Sequence, residues 1–200
     1  STLLRGEALT RAPGLATREW IEEKRREWGP ESSIYAVRAL GRFPAQGSDA
    51  VIGLGSVLDA VTRWPEIEAS GDLVVGLDVA RYGDDETVAA LRRGQKVVSL
   101  LRLPPGDGPD TAARFIVELD KSGHLRPGEV PAVNVDAIGY GASVYDALAR
   151  SPRVRANDVN TGEKSSRPEE FANLRAELHF AGRDWLAEGG ALPDDARLQA

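Results

Sequence analysis

Two aspartates interrupt apolar runs where an acid has no packing role. Leu73-Val74-Val75-Gly76-Leu77-Asp78-Val79 is broken only by Asp78, and Val133-Asn134-Val135-Asp136 ends on an acid just before Gly139. A lone buried carboxylate is costly, so each must be neutralised by a partner or a cation, or sit at the exposed end of its strand. If the two runs pair, both carboxylates converge at one sheet edge. At about 4 Å they repel by about 4 kcal/mol at an effective dielectric near 20, and a divalent cation between them reverses that sign. The chain has no cysteine, and neither site has a histidine beside it. Oxygen-only donors favour Mg²⁺ or Mn²⁺ over zinc. Either Asp also fits a plainer role, capping the turn that follows its strand. The third acidic feature, Gly83-Asp84-Asp85-Glu86, reads on its own as a charged hairpin turn before it reads as a ligand set.

Other chemistries lack their residues. Without cysteine there is no disulfide scaffold, zinc finger or thiol nucleophile. Gly162-Glu163-Lys164 lacks the preceding glycine of a phosphate-binding loop, and no Gly-x-Ser-x-Gly elbow is present. His124 lies in a Gly/Pro loop and His179 on a helix, where both read as structural or exposed.

The elements that must position these acids follow from periodicity. A helix is predicted from Thr17 to about Trp28, with Gly29-Pro30 as its stop. A short helix over Val57–Trp64 and a Pro65–Gly71 linker follow. The run from Leu73 has the pattern of a strand buried on both faces. Thr87–Leu91 and Val97–Leu103 are two further strands joined as a hairpin at Arg93-Gly94. Asp110 is expected to cap a helix carrying Phe115, Ile116 and Leu119. Val130 to Asp136 is the fourth strand, and Gly139-Tyr140-Gly141 turns into a helix through Val144, Tyr145 and Leu148. A short strand near Arg153–Val159 precedes a long helix expected to start at Pro168 and stop at Gly189-Gly190. The order β-β-β-α-β-α-β-α gives a mixed sheet with helices on both faces.

The 200 residues suit one generous domain with an appendage. No apolar run approaches the roughly 20 residues that span a bilayer, and Ser1–Arg11 has charges where a signal peptide needs an apolar core. The absence of methionine reads as a chain cut or processed from something longer. The net charge of −6 argues against general coating of nucleic acid. It is unevenly spread: residues 1–45 carry 8 basic and 6 acidic side chains, and Arg150–Arg167 carries 5 basic and 2 acidic. That combination fits a metal-dependent enzyme acting on a polyanion, while charge alone favours an ordinary acidic domain.

Gly76-Leu77-Asp78-Val79-Ala80-Arg81-Tyr82-Gly83-Asp84-Asp85-Glu86-Thr87 resembles the first strand and hairpin of the nuclease domain of bacteriophage large terminase subunits, the DNA-packaging enzymes of tailed phages. Val135-Asp136-Ala137-Ile138-Gly139-Tyr140-Gly141 resembles that family's second acidic motif. Asp158–Lys164 and Phe171–Glu177 are similar to its later strand and helix. Gly14–Trp20 and Val37–Pro44 look like the segment that joins the family's ATPase motor to its nuclease.

The resemblance implies an RNase H-like α/β fold over residues 71–200, incomplete at its C-terminal end. Residues 1–70 would be a helical linker segment following an absent motor. It implies a two-ion Mg²⁺ or Mn²⁺ site on Asp78 and Asp136 that cuts double-stranded DNA, assisted by Asp84 or Asp85. Arg81, Arg153, Arg155 and Lys164 are candidate DNA contacts. The family's third carboxylate lies further downstream; Asp184, Asp194 and Asp195 are weak substitutes. Further implied are the portal and small terminase subunit as partners, and the host bacterial cytoplasm with the prohead portal as location. The rival readings are a catalytically silent domain docking on DNA or the portal, and another RNase H-like nuclease such as a junction resolvase.

Overall fold

Alternation along the central strand sets the frame. In the computed structural model, which describes residues 18–28, 50–80 and 86–198, β1 (Leu73–Asp78) buries Leu73, Val75 and Leu77 and exposes Gly76 and Asp78. β2 (Thr87–Arg93) and β3 (Lys96–Leu103) continue the sheet on one side as an antiparallel hairpin. Their turn depends on Gly94, whose φ of 54° suits a residue without Cβ. On the other side β4 (Ala132–Asp136) and β5 (Arg155–Val159) run parallel to β1, so the sheet order is β3-β2-β1-β4-β5. A parallel step needs a crossover, supplied by α-helices over Gly108–Lys121 and Gly141–Ala149.

The chain divides into two compact units, Ser1–Gly55 and Ser56–Ala200. Within the first, helix α1 (Arg18–Trp28) forms as its pattern predicts, with Trp20 and Ile21 half-buried and Glu22, Glu23, Arg25 and Arg26 exposed. The expected helix cap at Thr17 and its stop at Gly29-Pro30 lie outside the described residues. Ahead of β1 come α2 (Leu54–Arg63) and a 3₁₀ turn at Trp64–Glu66. Numbering on, the crossover helices are α3 (Gly108–Lys121) and α4 (Gly141–Ala149), and the last helix is α5 (Leu174–Ala187).

α3 and α4 pack together on one face of the sheet. Phe115 and Leu119 from α3, and Val144 and Leu148 from α4, bury against Val75, Leu91, Val133 and Val135. Each such side chain contributes about 1.5–3 kcal/mol through burial. α5 faces the other side of the sheet through Leu174 and Leu178.

Two helix starts differ from the expectation. Asp107, not Asp110, caps α3: its Oδ1 accepts from Asp110 N at 2.8 Å, while Asp110 sits in the first turn and pairs with Arg114. α5 starts at Leu174, not Pro168. Asn173 caps it through Ala176 N, and Arg167–Phe171 forms a separate turn, because Leu174 N and Arg175 N donate back to Glu163 O and Thr161 O.

Candidate functional site

Register decides where the two aspartates go. β1 pairs with β4 from Val74 with Ala132 through Leu77 with Val135. The next residue on each strand is Asp78 and Asp136, so the acids leave the sheet side by side on adjacent strands about 4.8 Å apart. Both belong to the even-numbered face, away from α3 and α4. They line one groove of about 1010 Å³ together with Glu86, Asn134, Arg102 and Arg197. Its floor is apolar, built from Gly76, Val88, Ala90 and Leu100, and Leu174 and Leu178 of α5 form a wall.

Asp78 is exposed and Asp136 half-buried. The turn-capping role is real for Asp136, whose Oδ1 accepts from Ile138 N at 3.2 Å. That bond occupies one oxygen of the carboxylate. Among the described residues the Asp78 side chain has no hydrogen-bond or ion-pair partner, while its backbone pairs with Val88. Asn134, two residues up β4 from Asp136, holds its Oδ1 toward Asn157 Nδ2 at 3.0 Å. Gly141 explains how α4 starts so close to the site. A Cβ there would come within 1.7 Å of the Asp136 carbonyl oxygen, so only glycine fits.

The remaining candidates scatter. Arg81, Asp84 and Asp85 lie outside the described residues. The two ends of that segment are tied by buried Thr87, whose hydroxyl accepts from Ala80 N at 3.1 Å and donates to Ala80 O at 3.3 Å. Arg153 is engaged with Asp120 of α3 at 2.5 Å. Arg155 pairs with Ala132 at the start of β5, whereas Asp136 pairs with Val159 at its end. Arg155 is thus four residues, or about 13 Å, from the acids along the strand direction. Lys164 is exposed in the loop after β5, at the acids' end of the sheet. The basic stretch Arg150–Arg167 therefore forms no single patch, because β5 runs through it in extended form. Among the weak third-acid candidates, Asp184 pairs with Arg183 on α5 and Asp195 with Arg102. Among the described residues no three His, Cys, Asp or Glu side chains gather as a metal cage.

Two groove residues escaped the sequence reading, Arg102 and Arg197, while Glu86 entered it only as part of a charged turn. The signal for Arg102 was present, an arginine inside the apolar run Val97–Leu103, but its face follows only from the hairpin register. Val88 pairs with Arg102 on one side and Asp78 on the other. Arg102, Val88, Asp78 and Asp136 thus form one row across four strands on one face.

Comparison with solved structures matches this arrangement of strands and helices. The nuclease domain of the large terminase subunit gp2 of bacterial virus Sf6, as a K428A mutant with manganese and beta-thujaplicinol, aligns with a TM-score of 0.55 at 19% identity. The fold is that of a large terminase nuclease domain. The nuclease domain of the large terminase subunit gp2 of bacterial virus Sf6 itself gives 0.53, and the K428A mutant with calcium gives 0.54, both at 19% identity. Each alignment covers 70% of this chain and 65% of the Sf6 domain, so the chain spans less than two thirds of the terminase nucleases it matches. No protein-family model matches the sequence, and no curated protein does. The mixed five-stranded sheet with its helices is consistent with that fold. Among the described residues no helix is long and apolar enough to cross a membrane.

Proposed function

We propose that this chain is the nuclease portion of a phage large terminase, a divalent-metal-dependent endonuclease that cuts concatemeric genomic DNA. The observation that carries the reading is the register of β1 with β4, which sets Asp78 beside Asp136 at the mouth of a groove, within a terminase-nuclease fold. The donor set fits Mg²⁺ or Mn²⁺: two carboxylates, oxygen only, with the Asp78 side chain exposed and without a partner among the described residues. Bound there, such ions supply an acidified water and charge neutralisation at the departing 3′ oxygen of a phosphodiester.

The chain's own residues provide the rest. Asp78 and Asp136 hold the cations, and Ile138 N fixes one oxygen of Asp136. Gly141 keeps the first turn of α4 against the end of β4, which holds Asp136 at its position. Asp84 or Asp85 assists from the hairpin, and Arg81, Arg155 and Lys164 guide the DNA backbone; Arg153 joins them only by leaving Asp120. The partners in this reading are double-stranded DNA, the portal and the small terminase subunit. The setting is the host cytoplasm and, transiently, the prohead portal. Residues 1–70 serve as the linker to a motor and 71–200 as the nuclease.

The test is cleavage of supercoiled plasmid with Mn²⁺, with EDTA and Asp78→Asn as controls. Cutting that disappears in both supports the site. Cutting that survives Asp78→Asn removes it. A chain that binds DNA yet never cuts points to the docking role, and preference for four-way junctions over linear duplex points to a resolvase.

A further inference from the structure

The groove's cations are held by acids that offer little else. Arg102 Nη2 donates to Asp195 Oδ2 at 2.8 Å and its Nε lies 3.5 Å from Glu86 Oε2, while Arg197 also pairs with Glu86. The chain brings these groups together by a return path. After α5, Ala191 bridges to Lys96 at the start of β3 through Val97 N–Ala191 O and Ala191 N–Gln95 O bonds of 2.9 and 2.8 Å. The strap then follows β3 to its other end, where Asp195 meets Arg102.

We propose that Arg102 and Arg197 are the groove's ligands for backbone phosphates of DNA, and that Glu86 competes with the phosphate for both. The inference rests on the nuclease reading only in taking DNA as the occupant. Arg102 shares a transverse row and a face with Asp78, two strands away, or about 10 Å between Cα atoms. An extended arginine covers much of that span, so it reaches a phosphate flanking the one at the acids. Buried Nε of Arg102 has no hydrogen-bond acceptor, so Glu86 and Asp195 leave the guanidinium's donors only partly satisfied. Stability gives a weak reason for the network: the Arg197 side chain is 65% exposed, and such pairs contribute about 0–1 kcal/mol.

The experiment is fluorescence anisotropy of the whole chain with a labelled linear duplex, in EDTA so that no cutting intervenes, over a salt series. Arg197→Gln and Arg102→Gln are each expected to weaken binding several-fold and to lower the salt slope by about 1, with Arg102→Lys keeping the slope. Glu86→Gln is expected to tighten binding several-fold, and Glu118→Gln, on α3 across the sheet, to leave it unchanged. Unaltered affinity and slope in both glutamine variants of the arginines overturn the inference. So does binding that Glu86→Gln fails to tighten, or that Glu118→Gln tightens equally. Arg197 is exposed, so its variant reads out even if Arg102→Gln fails to fold. Plasmid cutting that needs Asp78, with no effect of these arginines on binding, overturns this inference alone. A chain that neither cuts nor binds duplex overturns both.

Discussion

The same two strands end in acids of opposite kinds. At the N-terminal end of β1, Glu129 is saturated: it accepts from Leu73 N at 2.9 Å and Arg126 N at 3.0 Å, and forms a two-pronged pair with Arg93, whose other contacts go to Gly71 O and His124 O. Arg93 is buried, and its hydrogen bonds hold the Glu129 carboxyl down to about 2. At the C-terminal end, the Asp78 side chain has no described partner and that of Asp136 a single hydrogen bond. One end spends its acid on closing the sheet, and the other leaves its acids facing a groove. Charge type alone does not tell the two ends apart; the number of satisfied carboxylate oxygens does.

That contrast breaks if the two ends respond alike. The largest expected effect is on chemistry. An outer partner of a metal ligand commonly accounts for ten- to a hundredfold in activity, so Asp136→Asn should reduce Mn²⁺-dependent plasmid cutting by about a hundredfold or more. Its melting temperature should stay level or rise, since a repulsion is relieved. Glu129→Gln should do the reverse. It strands a buried guanidinium, which destabilises by about 3 kcal/mol and lowers the melting midpoint by about 6–12 °C. Cutting measured well below that midpoint should persist.

Gly141→Ala joins the two behaviours. The added methyl meets the Asp136 carbonyl, so unfolding in urea should show a loss of about 1–3 kcal/mol together with weaker Mn²⁺ binding. Loss of stability with metal affinity intact would show that Asp136 does not depend on the α4 start.

The smallest effect is in pH. Glu129 titrates lower in the folded chain than its ordinary 4.5. Its contribution is therefore present above about 4.5 and is lost as pH falls toward about 2. Urea midpoints of the wild type should drop more steeply across that window than those of Glu129→Gln. Parallel curves would mean that another acid carries the acid sensitivity.

Much of the frame was legible because apolar runs write strands plainly. Asp78 and Asp136 stood out as the acids closing two such runs, and their neighbourhood required only that β1 and β4 pair. Helix starts were harder, since Asp107, Asp110 and Asn173 all suit a cap and the winner is set by where neighbouring backbone is tied. The basic stretch misled for a different reason: composition counts Arg153 and Lys164 together, whereas an extended β5 separates them. Arg102 and Glu86 required the hairpin register, and a strap returning along β3, neither of which is encoded locally. Glu129 and Arg93 are 36 residues apart, so their pairing follows only from the fold.

The Thr87 hydroxyl, bonded twice to the Ala80 backbone, has one more consequence. It fixes the take-off and landing points of the intervening residues independently of what those residues are. A segment anchored that way can be lengthened, shortened or exchanged with little disturbance to the strands beneath. The connection from β1 to β2 is therefore the natural place for transplanting sequence, with the Ala80–Thr87 pair as the splice points.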